Sequence, residues 1–162
     1  MPRIAVFVDV QNIYYTVKES FDCHFNYREL WRQLSLEGEI VLANAYAIDR
    51  NDSQQRKFQQ TLRNIGFTIK LKPYIQRSDG SAKGDWDVGI TIDMMDAVSS
   101  ASERVDRVVL LSGDGDFDML LRRIGQSGEI ETLVYGASAL TAQSLIDATK
   151  QFRAIEGPLL LI

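Results

Sequence analysis

The chain has 162 residues, 45% of them hydrophobic, and a net charge of −4. That is the size and composition of one folded domain with its own core, and it argues against a protein that coats nucleic acid through general basicity. No apolar run approaches the ~20 residues of a membrane span, no signal-type leader opens the chain, and Cys23 is its one cysteine, so the expectation is a cytoplasmic protein without a disulfide framework.

In chain order, apolar β-branched runs fall at 3–9, 40–48, 67–72, 106–112 and 130–135. The first and fourth are nearly continuous, as in parallel strands buried on both faces. Helical patterns lie between them, over 12–20, 26–36, 53–65, 87–101, 117–126 and 139–152. Asn26 with Glu29 predicts the start of the second of these and Gly66 the stop of the third. In the fourth, Val88, Ile92 and Met95 mark the inward face. Strands alternating with helices predict an α/β three-layer sandwich with a mostly parallel central sheet. No linker divides the chain, so we read a single domain over 1–162, with 153–162 as a C-terminal extension. The apolar tail "GPLLLI" is compatible with an edge strand, a clamp on the core or a partner contact. The sequence allows a homo-oligomer without specifying one.

In open α/β sheets ligands bind outside the carboxyl ends of the strands. The first strand, in "VFVDVQN", ends at Asp9, and the second at Asp49. The fourth ends in "LLSGDGDFD", which brings Ser112, Asp114, Asp116 and Asp118. "KGDWDV" opens a helix with Asp85 and Asp87. If the first and fourth strands are neighbours, Asp9, Asp114 and Asp116 share one crevice, and Asp87 joins them from its helix. Each acid also has a plain structural reading: Asp87 as a cap, Asp114 and Asp116 as turn formers beside glycines. Asp9 is different, because a carboxylate closing a buried strand needs partners. Crowded carboxylates raise one another's pKa, and a divalent cation removes the conflict. Oxygen ligands without His or Cys favour Mg²⁺ or Mn²⁺. Asp9 is an expected ligand, with the acids of 85–118 as its company, and Ser112 is placed to bond a carboxylate or a water. "SGDGDF" lacks the spacing of a dinucleotide-binding turn.

These residues together resemble the NYN domain, a branch of the PIN-like nucleases, and within it the LabA-like bacterial proteins. The resemblance rests on "DVQN", "KGDWDV" and "SGDGDF" and covers about residues 3–150. It implies a parallel sheet with flanking helices, an acidic pocket holding Mg²⁺ or Mn²⁺, and RNA as target. It makes Asp9, Asp87, Asp114 and Asp116 the acids that hold the metal, gives Asn12 the role of orienting Asp9 or the attacking water, and adds Asp93 and Asp118 as further acids. Asp93 lies six residues beyond Asp87, a rise of about 9 Å along a helix, too far to share one metal.

Residues 63–84 hold Arg63, Lys70, Lys72, Arg77 and Lys83 against one acid, Asp79. This stretch is either a solvated edge strand or an arm that grips phosphate, with Tyr74 for stacking on bases. Of Tyr14 and Tyr15, one is expected in the core and the other along the cleft. Trp86 packs or stacks, and Arg122 and Arg123 pair with acids or meet phosphate. The sum is a metal-dependent ribonuclease in which water attack leaves a 5′-phosphate, with Asp9, Asn12, Asp87, Asp114 and Asp116 at its centre. The alternatives are an RNA- or protein-binding regulatory module that keeps the pocket without turnover and, third, a phosphatase.

Overall fold

The computed structural model describes residues 1–73, 75–76, 82–83 and 85–162, with the backbone alone at 75–76 and 82–83. Tyr74 and Arg77 lie outside the described residues, as does the side chain of Lys83. The strands are β1 (Arg3–Asp9), β2 (His24–Phe25), β3 (Glu39–Asp49), β4 (Thr68–Pro73), β5 (Ile75–Gln76), β6 (Ala82–Lys83), β7 (Arg107–Leu111), β8 (Glu131–Gly136), β9 (Gln151–Ala154) and β10 (Leu160–Leu161). Six of them form one sheet in the order β4-β3-β1-β7-β8-β9, in which every neighbouring pair is parallel, and β5 pairs antiparallel with β6. The chain works outward from β1 in one direction and from β7 in the other, so the order switches between these two central strands.

Alternation along β1 explains the layers. Ile4, Val6 and Val8 face one way and Ala5 and Phe7 the other, and all are fully buried. The first face meets α1 (Val10–Phe21), α2 (Tyr27–Glu37) and α3 (Ser53–Ile65) through Ile13, Val17, Leu30, Leu34 and Leu62. The second meets α4 (Asp87–Ser99), α5 (Asp118–Gly125) and α6 (Gln143–Ala148) through Ile90, Met94, Leu121, Ile124 and Leu145. This is the expected α/β sandwich. The Asn26 side chain accepts the Glu29 N–H at 3.1 Å and opens α2, and Gly66 closes α3 with φ of 137°. A Cβ at Gly66 would also meet the Trp31 ring at 2.6 Å.

Two expectations are corrected. On α4 the buried residues are Ile90 and Met94, while Val88 and Ile92 are 70% and 54% exposed. Both sets follow helical spacing, so periodicity cannot choose between them. The rotation is fixed by polar contacts: Asp93 accepts from Tyr46 Oη and Lys70 Nζ, and the Trp86 indole donates to the Ala47 carbonyl. The helix expected over 139–152 is instead a 3₁₀ turn (Ser138–Leu140), the short α6, and β9. The Lys150 N–H donates to Thr132 Oγ1 at 2.8 Å, which turns the chain back onto β8, where sheet pairing replaces the last helical turn.

The tail is a clamp. Leu159 is buried in the first core layer, and β10 (Leu160–Leu161) pairs antiparallel with β2 (His24–Phe25). The Asn26 N–H donates to the Leu159 carbonyl at 2.8 Å, and its side-chain amide to the Pro158 carbonyl.

Candidate metal centre at the carboxyl ends of the central strands

β1 and β7 lie side by side with Val8 opposite Leu111. The next residues, Asp9 and Ser112, therefore emerge together. Ser112 is fully buried; its Oγ donates to Asp9 Oδ2 at 3.0 Å and accepts the Asp114 N–H at 3.2 Å. Asp9 is 8% exposed and stands at the N-cap position of α1, where the Asn12 backbone N–H is also directed at its carboxylate. Burial pushes the Asp9 carboxyl up to about 6. The Ser112 and Asn12 bonds pull it down, and the charges of Asp114 and Asp85 push it up again.

The Asn12 side chain does something the sequence did not indicate. Its Oδ1 accepts the Gly113 N–H at 2.8 Å and so ties α1 to the loop after β7. Gly113 is required there, because a Cβ would meet the Leu140 carbonyl oxygen at 2.6 Å. Asp114 Oδ1 then accepts the Asp116 N–H at 2.9 Å, capping the 3₁₀ turn Gly115–Phe117. The turn-forming reading of Asp114 thus holds alongside its place in the cluster.

Asp87, in the first turn of α4, completes the group. Carboxylate oxygens of Asp87, Asp114 and Asp116 all lie within 4.8 Å of one another, and Asp9 stands behind this set rather than in it. None of the ion pairs among the described residues involves these three acids. Burial raises the Asp87 carboxyl to about 7, helped by a hydrogen bond to Asp114 and by the charges of Asp114, Asp85 and Asp9. Three carboxylates this close, with no basic partner among the described ion pairs, repel one another, a conflict that a cation would remove. The donor set is all oxygen, as Mg²⁺ and Mn²⁺ prefer.

The remaining candidates are placed as follows. Asp85 is exposed; its side chain accepts the Asp87 N–H at 3.2 Å and its carbonyl accepts from Lys72 Nζ at 3.0 Å. Asp93 is held away from the cluster by Tyr46 Oη at 2.8 Å and Lys70 Nζ at 2.7 Å. Together with Lys70 it lines a separate cleft of about 300 Å³ beside α4. Asp118, the first residue of α5, accepts the Met119 N–H and faces Arg122 at 3.9 Å, and Asp49 binds the Asn51 N–H. Lys70 is thus committed to Asp93, whereas Lys72 lies 4.5 Å over the Trp86 ring at the rim of the centre. Tyr14 and Tyr15 are both about half exposed, so neither is core.

Two struts hold this arrangement: Trp86, expected to pack or stack, and Tyr46, unread in the sequence. Tyr46 pairs with Asp9 across β1 and β3, and its ring meets Trp86 edge-on at 5.2 Å. Trp86 precedes α4, and a Cβ at Gly89 would strike its ring at 2.5 Å. Together they set the height and rotation at which Asp87 enters the centre. Trp86 between two acids was the available signal; Tyr46 carried none.

A parallel α/β sheet with carboxylates gathered where its strand order switches has the architecture of the PIN-like domains. The chain belongs to the NYN domain family, whose model matches residues 3–156. It is 28% identical over 158 residues to the "Low amplitude and bright protein LabA" of Synechococcus elongatus, an alignment that covers 93% of this chain and 82% of that one. Among solved structures it is similar to VPA0982 of Vibrio parahaemolyticus RIMD 2210633, described as a protein of unknown function. The two are 51% identical with a TM-score of 0.90, over 99% of this chain and 96% of the other. Nucleases of this class generally use divalent metals. Among the described residues no helix is long and apolar enough to cross a membrane.

Proposed function

We propose that this chain is a metal-dependent ribonuclease of the cytoplasm that hydrolyses phosphodiester bonds at the acidic centre. The observation that carries this reading is the convergence of Asp87, Asp114 and Asp116 within 4.8 Å, with no basic partner among the described ion pairs, backed by the buried Asp9. Asp87, Asp114 and Asp116 would hold Mg²⁺ or Mn²⁺, and Asp9 adds its charge from behind. A bound cation supplies Lewis-acid polarisation of the phosphodiester and lowers the pKa of a water.

The chain's own residues do the rest. Ser112 and the Asn12 N–H keep Asp9 ionised and oriented against the cost of burial. The Asn12 side chain fixes the backbone at Gly113, and with it the aim of Asp114. Lys72, at the rim beside Trp86, is placed to meet a substrate phosphate. Water attack on the phosphorus, with the bond to the 3′ oxygen breaking, would leave a 3′-hydroxyl upstream and a 5′-phosphate on the downstream fragment.

The test is cleavage of a panel of labelled single-stranded and structured RNAs by wild type and Asp114→Asn, with Mg²⁺, with Mn²⁺ and with chelator. Metal-dependent cutting, reduced at least a hundredfold in a folded Asp114→Asn, is the expected result. Metal-insensitive RNA binding without cutting would replace this reading with a regulatory binding module. Phosphate release from nucleotides with RNA left intact would replace it with a phosphatase.

A further inference from the structure

The outer face of α1 carries aromatic rings that the core does not use. Tyr14 and Tyr15 are 47% and 50% exposed. Tyr14 lies nearly parallel to His24, with centroids 5.7 Å apart and planes 25° from each other, and Tyr15 meets Tyr14 edge-on at 5.4 Å. Scattered exposed apolar side chains are ordinary. Three aromatic rings in continuous contact on one face are not scattered.

Their direction matters. At about 100° per residue, Tyr15 stands about 60° around the helix from Asn12, and Tyr14 about 100° further, toward β2. Asn12 is itself bonded to Gly113 at the acidic centre. Going round the helix from Asn12, the rings therefore follow in the order Tyr15, Tyr14 and His24 across the outer face of α1. Only five residues separate Asp9 from Tyr14, a rise of about 7.5 Å, and helical side chains lean toward the N-terminus, here toward Asp9. Lys18 follows one turn beyond Tyr14. Its contact with Asp22 is 3.9 Å long between side chains 50% and 94% exposed, which leaves the ammonium open to a phosphate. The far end of the row is joined to the clamp, because His24 belongs to β2 and pairs with Leu161.

We propose that Tyr15, Tyr14 and His24 form a stacking platform for the unpaired bases of a single-stranded RNA whose backbone passes through the acidic centre. This rests on the ribonuclease reading above and adds to it the strandedness of the substrate and the path it takes. Bases stack on such rings with little regard for sequence, because every base has a π-face. The platform therefore selects unpaired over paired substrate rather than one base over another.

The test is equilibrium binding of a labelled six-nucleotide single-stranded RNA and of an abasic chain with the same ribose-phosphate backbone. It is run under two conditions in which cleavage is silent, wild type with chelator and Asp114→Asn with Mg²⁺. Tyr14→Leu is expected to weaken binding of the base-bearing strand about tenfold and to leave the abasic strand unchanged. Tyr14→Phe should restore it, and His24→Leu should show a loss of the same sign. Thermal melting checks the fold; should Tyr14→Leu fail to fold, His24→Leu and Tyr14→Phe decide. Undiminished binding of the base-bearing strand by Tyr14→Leu and His24→Leu overturns the platform and leaves the ribonuclease reading standing. An equal loss for base-bearing and abasic strands also overturns it. Failure of the parent protein to bind either strand overturns the platform and the RNA reading together.

Discussion

Ser112 is the smallest polar group in the centre and the one with most to hold. Its hydroxyl joins the carboxylate that ends β1 to the backbone of the loop that follows β7. Ser112→Ala leaves Asp9 with one fewer donor in a buried position, which raises its carboxyl further. Loss of the bridge from Asp9 to the Asp114 backbone is expected to weaken metal binding, measurable by Mn²⁺ titration calorimetry. The acids also predict a pH dependence. Asp9 and Asp87 bind their protons more tightly in the folded protein, at about 6 and about 7 against an ordinary 3.8. Their contribution to stability is therefore fullest below about pH 4 and is lost as pH rises through 6 and 7. Metal-free protein should melt at a lower temperature at pH 8 than at pH 5 from this source, and Asp87→Asn should flatten the slope. Mg²⁺ should raise the melting temperature at pH 8 and leave it nearly unchanged at pH 5. At this scale much of the centre was legible. Asp9, Asp87, Asp114 and Asp116 stand where strand ends and a helix start were expected, because a carboxylate closing an apolar run is conspicuous. The partners of Asp93 were not legible: Tyr46 and Lys70 lie on neighbouring strands, and only the β3–β4 register brings both to one oxygen.

α4 and the C-terminal clamp carry the structural consequences at the scale of elements. α4 had two helical stripes of apolar residues, and the choice between them fell to Trp86 and Asp93, contacts of long sequence separation that no local pattern encodes. Trp86→Leu removes both the indole bond to Ala47 and the edge contact with Tyr46. It should loosen the first turn of α4 and lower metal affinity while the rest of the sheet stays intact, which amide hydrogen exchange would localise to residues 87–91. The clamp is energetically direct. Leu159 is 4% exposed in the core between β2 and α2, so Leu159→Ala should cost about 2–5 kcal/mol in denaturant unfolding. The strand at 151–154 escaped the sequence because its residues follow a helical pattern without a break. Thr132, the side chain that turns them, lies on another strand.

At the scale of the molecule, the strand order divides the sheet at β1 and β7. Residues 3–73 build one side and residues 107–154 the other, with α4 leading from the first to the second. The division itself was legible in outline, since alternating strands and helices already implied an open parallel sheet; which strands were central had to be supplied by their near-continuous apolar runs. The acidic centre at that boundary draws its candidate ligands from α4, which links the two sides, and from the loop after β7, with Asp9 of the first side behind them. A cation held by Asp87 and Asp114 would act as a removable cross-link, closing the loop of chain between them. Limited proteolysis should register this: metal-free protein nicked around residues 99–106, and the same bonds protected in millimolar Mg²⁺. Scarcity of a divalent ion would thus be felt first as slackness along one seam of the protein, before any change in how much of it is folded.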